Sequence, residues 1–154
     1  MRILNNIVQG HSQLAFLDLE GTQFTHEMIA IGIVKVDIRK DGTIKKIHKG
    51  YHSYVYAKNK IGKIVTDLTG ISEETIREKG KSLRVVMQEI KKYLEEKEIE
   101  YIDCGTFSEE SVDYPEIAKA IALEVQSKEC DKGIAICRSG IGMSIVANKF
   151  KGIR

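Results

Sequence analysis

The sequence predicts an α/β protein, a three-layer domain built on a mixed five-stranded sheet. Three observations carry that expectation. Three apolar or alternating runs crowd the first 56 residues; a hairpin signal separates the second from the third; and from residue 63 onward helical periodicity alternates with short apolar runs. Successive strands form a meander, whereas strands separated by helices pair in parallel through right-handed crossovers.

The elements follow in order. LAFLDLE (14–20) is a short apolar strand, MIAIGIVKVDI (28–38) passes from continuous apolar character to alternation, and TIKKIHKGYHSYVY (43–56) alternates with β-branched and aromatic residues. Asp41-Gly42 lies between the last two and favours a tight turn, so they pair antiparallel. KIVTDLTGI (63–71) reads as a short helix or a turn, and Ser72 followed by Glu73 and Glu74 reads as an N-cap with first-turn acids. From Ser82, SLRVVMQEIKKYLEEK places Leu83, Val86, Met87, Ile90 and Leu94 at three- and four-residue steps, a face that belongs in a core. A strand at 100–105 (EYIDCG), a helix from Tyr114-Pro115, a strand at 133–137 (GIAIC) and a Gly-rich turn leading into a helix (GIGMSIVANKF) complete the chain. With 63–97 counted as one helical region, the order is β-β-β-α-β-α-β-α, the arrangement of ribonuclease H-like folds. No repeat or linker interrupts it, and 154 residues suit a single compact domain, 1–154.

Composition narrows the function. With 24 basic and 22 acidic residues the net charge is +2, too balanced to argue by itself for nucleic acid or an anionic surface. The basic stretch KVDIRKDGTIKKIHK (35–49) reads as the solvated face of a hairpin rather than a nucleic-acid track. Three cysteines, Cys104, Cys130 and Cys137, show no CxxC spacing, which argues against a disulfide framework or a thiolate zinc site and for a reducing, cytoplasmic setting. No secretory leader or spanning apolar run is expected, so no membrane partner is.

Two constellations carry chemistry. Asp18 and Glu20 stand at i and i+2 near the end of the first strand, and therefore on one face. Two carboxylates so placed repel unless a cation sits between them, which makes them a seat for Mg2+ or Mn2+; the alternative is a solvated edge. Gly21-Thr22 follows as a turn whose amides would approach a nucleotide. Cys137 ends an apolar strand and faces the amides of Ser139, Gly140 and Gly142 at a helix start, which would stabilise its thiolate and hold an anion. The alternative for Cys137 is inert core.

FLDLEGTQFTHEMIAIGIVKVD, with KIVTDLTGISEETI about 25 residues later, resembles the DnaQ-like, DEDD-type 3′ to 5′ exonucleases. The resemblance assigns residues 1–88 to an exonuclease-like half. It implies that Asp18 and Glu20 bind two divalent ions that activate water against a phosphodiester at the 3′ end of single-stranded nucleic acid. That family adds a third aspartate after its fourth strand, for which Asp103 is the candidate, with turn capping as the equal alternative, and Asp113 a further one. It also takes a base and a fourth acid from its last helix. Here His11, His26, His48 and His52 all precede that region and no aspartate follows Asp131, so neither is supplied.

The remainder, 89–154, resembles the type B ribose-5-phosphate isomerases, the RpiB/LacAB group, through VDYP (112–115), the strand ending in Cys137, and GIGMSIVANK. The resemblance implies that Cys137 is the base that moves a proton between adjacent sugar carbons of a sugar phosphate. Ser139, Gly140 and Gly142 would then supply amides to the enediolate. That family's first strand with its substrate loop, its ring-opening histidine and its phosphate-binding arginines have no counterpart here, and Arg138 stands where glycine is common. Both catalytic sets are thus incomplete. The expectation is a chimera joined within the helix at 82–97, folded as a monomer or homodimer, without efficient catalysis. Residual metal-dependent exonuclease activity and sugar-phosphate or anion binding at the Cys137 loop are its alternatives.

Overall fold

The computed structural model describes residues 13–22, 25, 27–106, 110, 112–137 and 140–153. The chain divides into two compact units, Met1–Ile99 and Glu100–Arg154.

In the first unit the meander forms as its sequence predicts. β1 (Gln13–Gly21) pairs antiparallel with β2 (Met28–Ile38), and β2 pairs antiparallel on its other side with β3 (Ile44–Ile47) and β4 (Tyr51–Tyr54). The single third strand expected over 43–56 is thus two, interrupted at 48–50, although the His48 amide still donates to the Lys35 carbonyl at 3.0 Å. The Asp41-Gly42 turn closes as expected: the Asp41 carboxylate accepts from the Thr43 amide at 2.9 Å and the Thr43 hydroxyl at 2.6 Å.

β2 is the centre of the unit, with Ile29, Ala30, Ile31, Ile33, Val36 and Ile38 all buried. Three helices follow: α1 (Lys63–Thr69), α2 (Glu73–Lys79) and α3 (Leu83–Glu96). Ser72 and Ser82 cap α2 and α3 by accepting from the amides of Thr75 and Val85, which satisfies donors that a helix start leaves free. α3 turns Val86 and Ile90 onto Ile31, with Leu17 and Tyr51 beside them. Ile76 of α2, Val65 of α1 and Ile71 pack with Ile29, Ala30 and Tyr54. Ala30 and Ile31 point to opposite faces by strand alternation, and α3 packs on the Ile31 face. The amphipathic face expected of residues 82–97 is core.

Lys35 departs from the expectation of a solvated basic stretch. Lys45 and Lys46 are exposed, but Lys35 is 5% exposed on β2, and its ammonium donates to the Lys97 carbonyl at 2.6 Å. The last carbonyls of a helix carry partial negative charge, which makes the C-terminal end of α3 a favourable place for a buried cation. Hydropathy alone cannot distinguish that lysine from its exposed neighbours.

The second unit contains α4 (Tyr114–Gln126) and α5 (Ile141–Ala147), packed on each other, with Ala118, Ala122 and Met143 buried. Neither 100–105 nor 133–137 forms a strand. Among the described residues the sheet therefore has four antiparallel strands, and the mixed five-stranded, ribonuclease H-like closure is not seen. A short apolar run is a strand only when a neighbouring edge takes its amides and carbonyls. Here Ile102 is 51% exposed and Ile134 60% exposed, so burial does not draw either run onto an edge.

Candidate functional site

The β1–β2–β4 register builds a cleft from the acid pair. Asp18 lies opposite Gly32, which lies opposite His52; Glu20 lies opposite Ala30, which lies opposite Tyr54. Residues directly opposite share a face. Two carboxylates on one side and a histidine and a tyrosine on the other therefore flank a floor of the two small residues. The cleft is about 220 Å³, and Thr69 and Ile71 close one end. The rings of His52 and Tyr54 meet edge to face at 4.9 Å, which fixes their side of the cleft. Asp18 is exposed and Glu20 half-buried.

The surrounding polar groups are satisfied within the fold. The Thr69 hydroxyl donates to the Val65 carbonyl at 2.7 Å and accepts from the Ile71 amide. The Thr22 amide donates to the Glu27 carbonyl, and the Glu27 amide donates to the Thr22 hydroxyl, both at 2.9 Å. The Thr22 amide expected to approach a nucleotide is thus spent on closing its own loop. Burial would raise the Glu27 carboxyl, but the amides of Lys58 and Asn59 donate to it and bring it below its ordinary value, which fastens the β1–β2 loop to residues 58–59.

Asp103 belongs to the second unit, where its carboxylate accepts from the Gly105 amide at 2.9 Å, the turn-capping role that its sequence left open. Asp113 precedes α4 as its N-cap position, without a side-chain cap bond. Among the described residues no group of three or more His, Cys, Asp or Glu is placed to hold a metal ion. Asp18 and Glu20 thus offer two carboxylates where a pair of divalent ions needs more ligands, so the residues present do not fit a two-ion centre.

At the second candidate site the Gly140 amide donates to the Cys137 sulfur at 3.2 Å. Gly140 has φ +73°, a conformation that glycine adopts without the clash a side chain would bring, as the chain turns into α5. Gly142 follows in the first turn of α5 against the Tyr114 ring: a Cβ there would stand 2.6 Å and 2.8 Å from two ring carbons. Ser139, with Arg138 before it, lies outside the described residues. All three cysteines are free thiols. Cys104 is pushed above its ordinary value, by burial first and then by the charge of Glu124.

His52, Tyr54 and Thr69 are the cleft residues that sequence reasoning missed. For His52 and Tyr54 the available signal was strand pairing, since the residues opposite Gly32 and Ala30 must face the acids.

The Ribose/Galactose Isomerase family model matches residues 81–154. Ribose-5-P isomerase B of Listeria innocua is 56% identical over 61 residues, which are 40% of this chain and 41% of that protein. Ribose-5-phosphate isomerase B of Escherichia coli is 50% identical over 70 residues, 46% of this chain and 47% of that protein. The chain thus spans less than half the length of these relatives. The nuclease domain of 3'hExo, a DEDDh family member whose crystal structure holds rAMP, superposes on 84% of this chain and 64% of its own with a TM-score of 0.51 at 16% identity, a likeness of fold. No helix among the described residues is long and apolar enough to cross a membrane.

Proposed function

We propose that the chain is a composite of an exonuclease-like segment and an isomerase-like segment joined through α3, folded but without efficient turnover of either kind. One observation carries this reading. α3 lies inside the stretch that matches the isomerase family, yet it packs Val86 and Ile90 against Ile31 of the meander and is part of the first unit. The helix that begins the isomerase-like sequence thus serves as the core helix of the other half.

Both sites are then partial. The acid pair and His52 share a cleft without the ligands of a two-ion centre, so the expected residue of function there is weak binding of one Mg2+ or Mn2+ and of a nucleic-acid 3′ end. The Cys137 loop supports a second reading, sugar-phosphate binding with slow isomerisation. In that reading the Cys137 sulfur takes the proton from one sugar carbon and returns it to the next. The 3.2 Å contact favours it.

Two measurements test these readings. A labelled single strand with Mn2+ should be degraded no faster by the wild type than by the Asp18→Ala, Glu20→Ala double variant. Ribose 5-phosphate conversion should be slow and abolished in Cys137→Ala. Rapid, Asp18-dependent degradation, or isomerisation at a rate ordinary for enzymes of about 10 per second, would overturn the composite reading.

A further inference from the structure

The cleft over Asp18 and Glu20 is electrically one-sided. Of the side chains that line it, Asp18 and Glu20 can carry only negative charge, and His52 alone can carry positive charge. No ion pair among the described residues neutralises either carboxylate. A phosphodiester entering the cleft is therefore repelled by the β1 wall and needs a donor on the β4 wall, which stands two strand spacings away, about 10 Å.

Donors there are few. The Thr69 hydroxyl is spent on the Val65 carbonyl, and Ala30 and Gly32 lie between two paired strands that take up their backbone groups. His52 is exposed, and its edge-to-face contact with Tyr54 holds the ring while no hydrogen bond among the described residues engages its nitrogens. The ground beside it is clear. A Cβ on Gly32 would stand 4.0 Å from the His52 Cδ2 atom, in van der Waals contact, so the glycine leaves that side of the ring open to a ligand. His48 is the contrast, because its Nε2 is already bonded to the Asp37 carboxylate at 3.0 Å.

We infer that His52 is the residue that receives the phosphate of a nucleic-acid strand in this cleft, donating a ring N–H to a phosphodiester oxygen from the wall opposite the carboxylates. The inference rests on the 3′-end reading of the cleft proposed above, and adds to it the group that makes an anion acceptable beside two acids. The phosphodiester is anionic, so the bond is charge-assisted and roughly twice as strong as a neutral one. It uses no metal ion, which suits a cleft whose residues do not fit a two-ion centre.

Three substitutions separate this role from packing. His52→Phe keeps a ring against Tyr54 but removes both nitrogens, and should raise the Kd for the strand about tenfold, the size of one hydrogen bond to a charged group. His52→Arg supplies a permanent cation and should bring the Kd back to within about threefold of the wild type. His48→Gln should leave it unchanged. The full chain, isotope-labelled, is titrated with an oligodeoxythymidylate bearing a free 3′ hydroxyl, in buffer without divalent ions so that none bridges carboxylate to phosphate. The nuclear magnetic resonance shift of the Gly32 amide on the cleft floor reads the Kd, and far-UV circular dichroism shows that each variant is folded. A wild type whose Gly32 amide does not respond to the strand overturns the 3′-end reading and this inference with it. A strand that binds there equally well to His52→Phe leaves that reading standing and overturns the role of His52. A loss in His52→Phe that His52→Arg does not restore assigns the residue to packing, and overturns the role too.

Discussion

The ammonium of Lys35, buried in the middle of the sheet, donates to the carbonyl of Lys97 at the end of α3, 2.6 Å away. The same residue's amide donates to the Tyr93 hydroxyl at 3.2 Å. One position on β2 thus holds the last turn of a helix that lies within the residues matched by the Ribose/Galactose Isomerase family model. Lys35→Met should remove a charge-assisted bond and leave a helix-end carbonyl unpaired, lowering unfolding stability by about 2 kcal/mol. Urea denaturation followed by circular dichroism measures it, and a loss no larger than that of Lys45→Met would show that the bond contributes little.

Glu89 makes the first unit sensitive to acid. Lys81 donates to its carboxylate at 2.7 Å and 2.9 Å and the Tyr51 hydroxyl donates at 2.9 Å, and these bonds, Lys81 first, hold the Glu89 carboxyl below its ordinary value of 4.5. A carboxyl lowered on folding stabilises the fold above its unfolded value, and that stabilisation is lost as pH falls through the lowered one. The contribution should be full above about pH 5.5 and vanish on acidification. Glu89→Gln should lower stability at neutral pH and narrow the gap to the wild type at pH 3, in paired thermal melts.

Ile90 tests whether α3 is the core helix of the first unit. It is buried against Ile31, Val55 and Val86, so Ile90→Ala leaves a cavity that should cost about 3 kcal/mol. Its exposed neighbour on the same helix, Lys92, should tolerate alanine within about 0.5 kcal/mol. Equal losses at the two positions would contradict the packing.

The contact of Gly142 with Tyr114 predicts a coupled pair. Gly142→Ala pushes a methyl into the Tyr114 ring and should destabilise the second unit by about 1 kcal/mol, because the half-exposed ring can turn away. In a Tyr114→Ala background the same change should instead stabilise by about 0.5–1 kcal/mol, the ordinary preference of a helix for alanine over glycine. A double-mutant cycle on thermal midpoints reads the sign reversal.

The meander, the Asp41-Gly42 turn and the Ser82-capped helix were legible because each depends on local chemistry: alternation, a dipeptide that favours the turn, a hydroxyl at a helix start. Asp18 and Glu20 were placed on one face by strand geometry alone, and the structure opens a cleft over them. His52 was not legible for a traceable reason. Counting back from the turn pairs Gly32 with residue 50, but the register slips once between Asp37 and Ile38 and again across the break at 48–50, which brings His52 opposite Gly32. The runs at 100–105 and 133–137 read as strands because periodicity reports apolarity and says nothing of whether an edge is free. The reach of Lys35 across to α3 is long-range and leaves no local trace.

The bond between Lys35 and Lys97 also sets a phase condition on any graft at this helix. α3 advances about 100° per residue, so inserting or deleting a single residue between Ile90 and Glu96 would swing the terminal carbonyls about a quarter-turn away from the buried ammonium while Val86 and Ile90 kept their face. Only changes of three, four or seven residues restore the face. A splice within this helix would hold only where the turns of the two pieces already coincided.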